Sequence, residues 1–328
     1  MPDGPPPPRS LQTEVVPPAL ELPPAYPDRA AWGTATRLRA WQTAALTSYF
    51  DQNPRDFLAV ATPGAGKTTF ALSVASELLW QLVPPRTFAT AEVVVAALLE
   101  PHDRVGGDAY DYAVDRDALY VGVFDGVGHD LEAGVTTALA VNAIRHARRR
   151  GDRDLTALAA IADEQLRGHP GVTPFVTAVL ARLETDTGRL EYLLAGHPAP
   201  LLLRGGHVVH RLDAALRPPL GVHPREGATT TLGQVQLEPG DRLLLYSDGV
   251  VEARDEEGRF FGEDRLIDLT ERTEQSRVSA PETLRRLTAS VLAHQAGHLQ
   301  DDATLLMLDW LGPSTTVARG RPVLNHRL

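Results

Sequence analysis

The stretch FVTAVLARLETDTGRLEYLLAG, residues 175–196, decides the fold. Two short apolar runs rich in Val, Leu and Tyr are joined by the polar turn ETDTGR, and strands linked so briefly pair antiparallel. The pattern continues through GHPAP and RGG, so that 174–212 reads as an antiparallel meander. Similar short β-rich segments lie upstream in EVVVAALLEP (92–101) and ALYVGVFDG (118–126), and downstream in DRLLLYSDG (241–249). Helical stretches interrupt them at 132–150, 154–168 and 281–298. The last opens with Ser279 and Glu282 in capping-box spacing and Pro281 in its first turn. Strands in runs, with helices grouped between them, indicate α+β layers and not a strictly alternating parallel sheet.

The bulk properties bound the function. The chain has 328 residues, 43% of them hydrophobic, enough for a sizeable core. A net charge of −10 argues against a nucleic-acid surface, which needs a basic stripe to neutralise phosphates. The absence of cysteine excludes disulfides, thiolate zinc sites and a cysteine nucleophile. No apolar run approaches the roughly 18–20 residues that span a bilayer, and the start MPDGPPPPRS lacks the order of a secretory signal, so the expected place is the cytoplasm.

Four motifs place aspartates at strand ends or turns: VGGDAYD with Asp108, VFDGVGHD with Asp125 and Gly126, YSDGVVEA with Asp248 and Gly249, and LQDDATLL with Asp301 and Asp302. One aspartate-glycine pair is an ordinary turn. Several carboxylates projecting from strand edges make a cage for hard cations, and two such ions about 3.5–4 Å apart acidify one water. Glycine after the aspartate lets a backbone carbonyl approach as a further ligand.

In that order, and with the hairpin above, these motifs resemble the PPM-type metal-dependent serine/threonine phosphatases, specifically the SpoIIE/RsbU branch, over about residues 75–311. The resemblance implies a β-sandwich of two antiparallel sheets flanked by helices, with two Mn²⁺ or Mg²⁺ ions at one end. It implies Asp108, Asp125, Asp248 and the Gly126 carbonyl as metal ligands, completed by Asp301, with Asp302 the lesser candidate of its pair. It further implies in-line attack of metal-activated water on a phosphoserine or phosphothreonine of a small regulatory protein, of the STAS-type anti-sigma-factor antagonist kind. Two positions depart from the family: Gly126, where a small or apolar residue is usual, and Asp130, where glycine follows the histidine. His129 is a candidate proton donor to the leaving oxygen.

Other residues read more plainly. His197 in AGHPAP matches a family motif but equally suits a turn-ordering histidine. His294 and His298 have metal spacing on a helix, with no glutamate after His294. The arginines of RHARRR, 145–150, complement a helix C-terminus before Gly151.

A second resemblance precedes the first. ATPGAGKTT, with Gly64, Gly66, Lys67 and Thr68, has the phosphate-cradling pattern of superfamily 2 helicases, and LRAWQTAAL places Gln42 where their adenine-reading glutamine stands. The alternative reading is therefore a P-loop ATP-binding protein. The match covers only residues 36–72, too little for the parallel sheet that such a loop needs. The expected organisation is a Pro-rich lead-in over 1–33, a P-loop fragment over 34–74, a phosphatase domain over 75–311 and a flexible tail over 312–328.

Overall fold

The computed structural model describes residues 38, 40–52, 74, 79, 81–102, 106–128, 131–168, 175–222, 230–276 and 278–313. The chain divides into two units, Met1–Ala75 and Ser76–Leu328. In the first, helix α1 spans Ala40–Gln52 and buries Gln42. The loop residues Gly64, Gly66, Lys67 and Thr68 lie outside the described residues.

The second unit contains two packed six-stranded sheets. Its strands are β1 (Thr87–Ala89), β2 (Val93–Glu100), β3 (Asp108–Asp115), β4 (Ala118–Gly126), β5 (Val176–Glu184), β6 (Arg189–Ala195), β7 (Leu201–Arg204), β8 (His207–Arg211), β9 (Leu216–Arg217), β10 (Gly233–Gln236), β11 (Arg242–Tyr246) and β12 (Ala303–Trp310). Its helices are α2 (Leu131–Arg149), α3 (Leu155–Arg167), α4 (Asp248–Val251), α5 (Glu263–Gln275) and α6 (Ala280–His294). One sheet runs β1-β2-β12-β11-β7-β8, the other β10-β6-β5-β4-β3, with β9 added beside β6. Among the described residues the named strands pair antiparallel except for the two-residue β6–β9 contact, which makes the second sheet mixed, and an isolated parallel bridge joins Ala178 to Gly196.

Period-two alternation explains the layers. Leu119, Val121 and Val123 of β4 meet Val179, Ala181 and Leu183 of β5 and Leu243, Leu245, Leu306 and Leu308 of the other sheet in the inter-sheet core. The alternate residues Tyr120, Phe124, Ala178 and Leu180 face Ile144, Leu155 and Leu158 on α2 and α3. On the opposite side, Leu244, Tyr246, Leu305 and Met307 face Leu266, Leu284 and Leu287 on α5 and α6. Central strands covered on both faces read as near-continuous apolar runs, and β12, ATLLMLDW, has all eight residues buried, its two polar members Thr304 and Asp309 bonded to Asp108 and Arg242. Each fully buried leucine contributes roughly 1.5–3 kcal/mol.

The hairpin of 175–196 forms as read, with β5 and β6 paired from Val179↔Leu194 to Leu183↔Leu190. Gly188 closes its turn at φ +75° and donates its N–H to Glu184 O at 2.8 Å. A Cβ there would lie 2.3 Å from the Trp310 ring, so glycine is needed for both conformation and room. The meander breaks at GHPAP and resumes at RGG, where β7 and β8 pair antiparallel. GHPAP carries the chain from β6 in one sheet to β7 in the other, since Pro198 and Pro200 have no N–H to offer a ladder.

One further expectation is corrected and one is extended. The capping box does not form: Ser279 caps α6 without a side-chain bond, and Glu282 is held by Arg285 at 2.7 Å and Arg286 at 2.7 Å. In RHARRR, Arg148 and Arg149 lie in the last turn of α2 as read, and Arg145 and Arg148 in addition pair with Asp111 of β3 and tie helix to sheet.

Candidate active site

The ends of five strands meet at one edge of the sandwich. Asp108 opens β3 and stands directly opposite Asp125, near the end of β4, while Thr177 of β5 stands opposite Asp125 on its other side. From the other sheet, β11 ends at Tyr246, Ser247 caps α4, and Asp248 is the first residue of that helix. The turn before β12 supplies Asp301 and Asp302.

Short hydrogen bonds stitch the two sheets here. Thr304 of β12 donates to Asp108 Oδ2 at 2.6 Å, and its own N–H donates to Ser247 Oγ at 3.0 Å. Ser247 N–H returns to Thr304 O at 3.0 Å. Thr137 of α2 donates to Gly107 O at 2.6 Å, drawing the helix onto the loop. Close approach explains the glycines. A Cβ on Gly249 would lie 2.0 Å from Asp302 O, and one on Gly126 would lie 2.4 Å from Thr137 Oγ1. The second contact accounts for glycine at position 126.

The electrostatics are those of an acidic cluster without compensation. Burial, then repulsion by Asp125 and Asp302, holds the Asp108 carboxyl well above the ordinary range. Burial, then Asp248, Asp301 and Asp302, pushes Asp125 up to about 8. Asp248 is raised by burial, Asp301 and Glu252. No cationic side chain is among the causes at any of the three. A hard divalent cation is the partner that such a donor set lacks. Among the described residues, no three of these acids already converge on one point. The donors fit a hard cation by chemistry; they are gathered at one edge without being closed round a centre.

The two members of the Asp301–Asp302 pair separate cleanly. Asp302 is buried and its carboxylate accepts N–H bonds from His102 at 2.8 Å and Gly107 at 2.6 Å, with a longer one from Asp108 at 3.4 Å. Its oxygens are committed to the backbone N–H groups of His102, Gly107 and Asp108. Asp301 is exposed and could hold a metal. His129 and Asp130 lie outside the described residues. His294 bonds Arg265 and the Arg259 carbonyl, far in role from a metal pair.

Sequence reasoning did not anticipate Thr177 and Thr304, the two hydroxyls that touch Asp125 at 3.4 Å and Asp108 at 2.6 Å. Each is a polar residue facing the site from an otherwise apolar strand, in FVTAVL and DATLL, and that break in pattern was the available signal.

Residues 115–311 match the family model described as Stage II sporulation protein E (SpoIIE). The chain belongs to the SpoIIE family. Phosphoserine phosphatase RsbU of Bacillus subtilis is 25% identical over 223 residues, 65% of this chain and 62% of that protein. The SiaA-PP2C domain of Pseudomonas aeruginosa superposes with a TM-score of 0.64 at 25% identity, covering 76% of this chain and 100% of that one. The RsbU and RsbW domains of Rv1364c from Mycobacterium tuberculosis superpose with a TM-score of 0.56 at 26% identity, covering 68% and 61%. The chain spans between 7% and 62% of the length of the curated relatives compared. These likenesses give no support to the helicase-like resemblance of residues 36–72. Among the described residues, no helix is long and apolar enough to cross a membrane.

Proposed function

We propose that this SpoIIE-family chain is a metal-dependent protein phosphatase that hydrolyses phosphoserine or phosphothreonine on a small regulatory protein. The observation that carries the reading is the uncompensated carboxylate cluster at the sandwich edge, with Asp108 opposite Asp125 and Asp248 delivered from the second sheet. Asp108, Asp125, Asp248 and Asp301 would hold two Mn²⁺ or Mg²⁺ ions, with the Gly126 carbonyl as a further donor. When bound, such ions acidify water and neutralise phosphoryl oxygens. The chain's own part is to aim the donors: Thr304 orients Asp108, Thr177 orients Asp125, and Asp302 shapes the loop that carries Asp108.

The substrate class is supported by kinship. RsbU is named a phosphoserine phosphatase, and the Rv1364c structure joins an RsbU domain to an RsbW domain. A phosphorylated STAS-type anti-sigma-factor antagonist is accordingly the proposed partner, acting in the cytoplasm. The test is hydrolysis of a small aryl phosphate and of a phosphoserine STAS domain with Mn²⁺ titrated. Turnover should depend on metal, stop with chelator, and vanish in the Asp125→Asn, Asp248→Asn double variant. Turnover that survives both would overturn the proposal.

A further inference from the structure

His197 is fully enclosed, 6% exposed, and the proposed chemistry does not use it. Its place follows from AGHPAP. Gly196 at φ +68° turns the chain at the end of β6, and the two prolines beyond keep it out of the ladder, so the imidazole points in between the sheets. There Nδ1 lies 2.8 Å from Thr177 Oγ1, and Thr177 Oγ1 lies 3.4 Å from Asp125 Oδ2. The ring also feels the backbone of Tyr246, two residues before Asp248, while Nε2 has no hydrogen-bond partner. The imidazole is thereby tied to β5, the strand that brings Thr177 beside Asp125.

We infer that His197 and Thr177 form a positioning relay that aims the Asp125 carboxylate for its metal. The inference rests on the metal-dependent reading of the site. The relay requires the tautomer in which the Nδ1 proton faces the threonine; with the proton on Nε2, toward the Tyr246 carbonyl, the hydroxyl would donate to Nδ1 instead. In the required tautomer Nδ1–H donates to Thr177 Oγ1, and the threonine's own hydroxyl proton then goes to Asp125 Oδ2. Nε2 is left as a bare acceptor, a less costly buried orphan than an N–H. Partners of this kind beyond the ligands fix ligand orientation, and their loss typically weakens metal binding by about 10–100-fold. Neither residue touches substrate, so both are positioning residues.

The experiment is direct Mn²⁺ binding by the full chain, read by the electron paramagnetic resonance of free Mn²⁺, with urea unfolding alongside. Thr177→Val, nearly the same shape without the hydroxyl, should bind Mn²⁺ about 10–100-fold more weakly while staying folded. Thr177→Ser should bind close to wild type. His197→Asn, which keeps a donor near the Nδ1 position, should bind more tightly than His197→Leu. If His197→Leu does not fold, the threonine pair still decides. Nitrogen NMR of the imidazole should place the proton on Nδ1. Unchanged Mn²⁺ affinity in Thr177→Val, equal weakening by valine and serine, or a proton on Nε2 would each overturn the relay. Asp125→Asn separates the two claims. If it abolishes binding while Thr177→Val does not weaken it, the relay fails and the metal reading stands. If wild type binds no Mn²⁺, both fall.

Discussion

Removing one charge from the acidic cluster should stabilise the metal-free protein and destabilise the metal-loaded one relative to wild type. Asp125 sits at about 8 against 3.8 for an ordinary aspartate, through burial first and then Asp248 and Asp301. At ~1.4 kcal/mol per pH unit, holding at pH 7 the proton that the unfolded chain has lost costs the folded state roughly 4 kcal/mol. The neighbouring acids redistribute protons when one member is lost, so about half of that, ~2 kcal/mol, is the gain expected for Asp125→Asn. The sign follows from the raised value: the stability linked to this carboxyl is present below pH 3.8 and is lost as pH rises through about 8. Metal-free wild type should therefore gain stability from pH 8 to pH 5.5, and the variant should follow a flatter profile. Mn²⁺ at a hundred times its Kd should add ~2.7 kcal/mol to wild type alone. Urea unfolding followed by tryptophan fluorescence, in chelator and in Mn²⁺, measures all four states. A variant less stable than wild type in chelator at pH 8, or equal stabilisation of both by Mn²⁺, would refute the reasoning.

Asp309, paired with Arg242 across β11 and β12 but with Oδ1 unpartnered, is pushed up to about 6 by burial. Its contribution is present below pH 3.8 and lost as pH rises through 6, so Asp309→Asn should flatten the unfolding profile between those values. Asp163 accepts two bonds from Arg217, at 2.9 and 2.7 Å, and the Gly221 N–H at 2.9 Å, all buried. Asp163→Ala should cost about 3–5 kcal/mol by urea titration, and a paired Asp163→Leu, Arg217→Met variant should recover most of it. Gly249→Ala sets a methyl against Asp302 O. It should lower stability by ~1–3 kcal/mol and raise the Mn²⁺ concentration needed for half-maximal turnover.

The hairpin and the strand-end aspartates were legible because each is local: a turn between apolar runs, or a carboxylate closing one. The crossing from β6 to β7 was not, since short spacing looks the same whether strands pair or change sheets, and only the missing N–H groups of Pro198 and Pro200 hint at it. The ranking of Asp301 over Asp302 came from the resemblance alone. Adjacent aspartates are alike in sequence, and what sets Asp302 apart is its bonds to the N–H groups of His102 and Gly107, nearly 200 residues away. Glu282 shows the opposite failure, a correct local pattern outcompeted by two arginines one turn on. The threonines at 177 and 304 matter through register, which fixes a neighbour only after the strands have paired.

The most direct test is anomalous diffraction at the manganese edge from crystals of the chain grown with Mn²⁺. Two anomalous peaks at the sandwich edge, ligated by Asp108, Asp125, Asp248 and Asp301 with Asp302 still bound to backbone N–H groups, are the predicted result. Manganese absent from that edge, or held by residues elsewhere, would contradict the account.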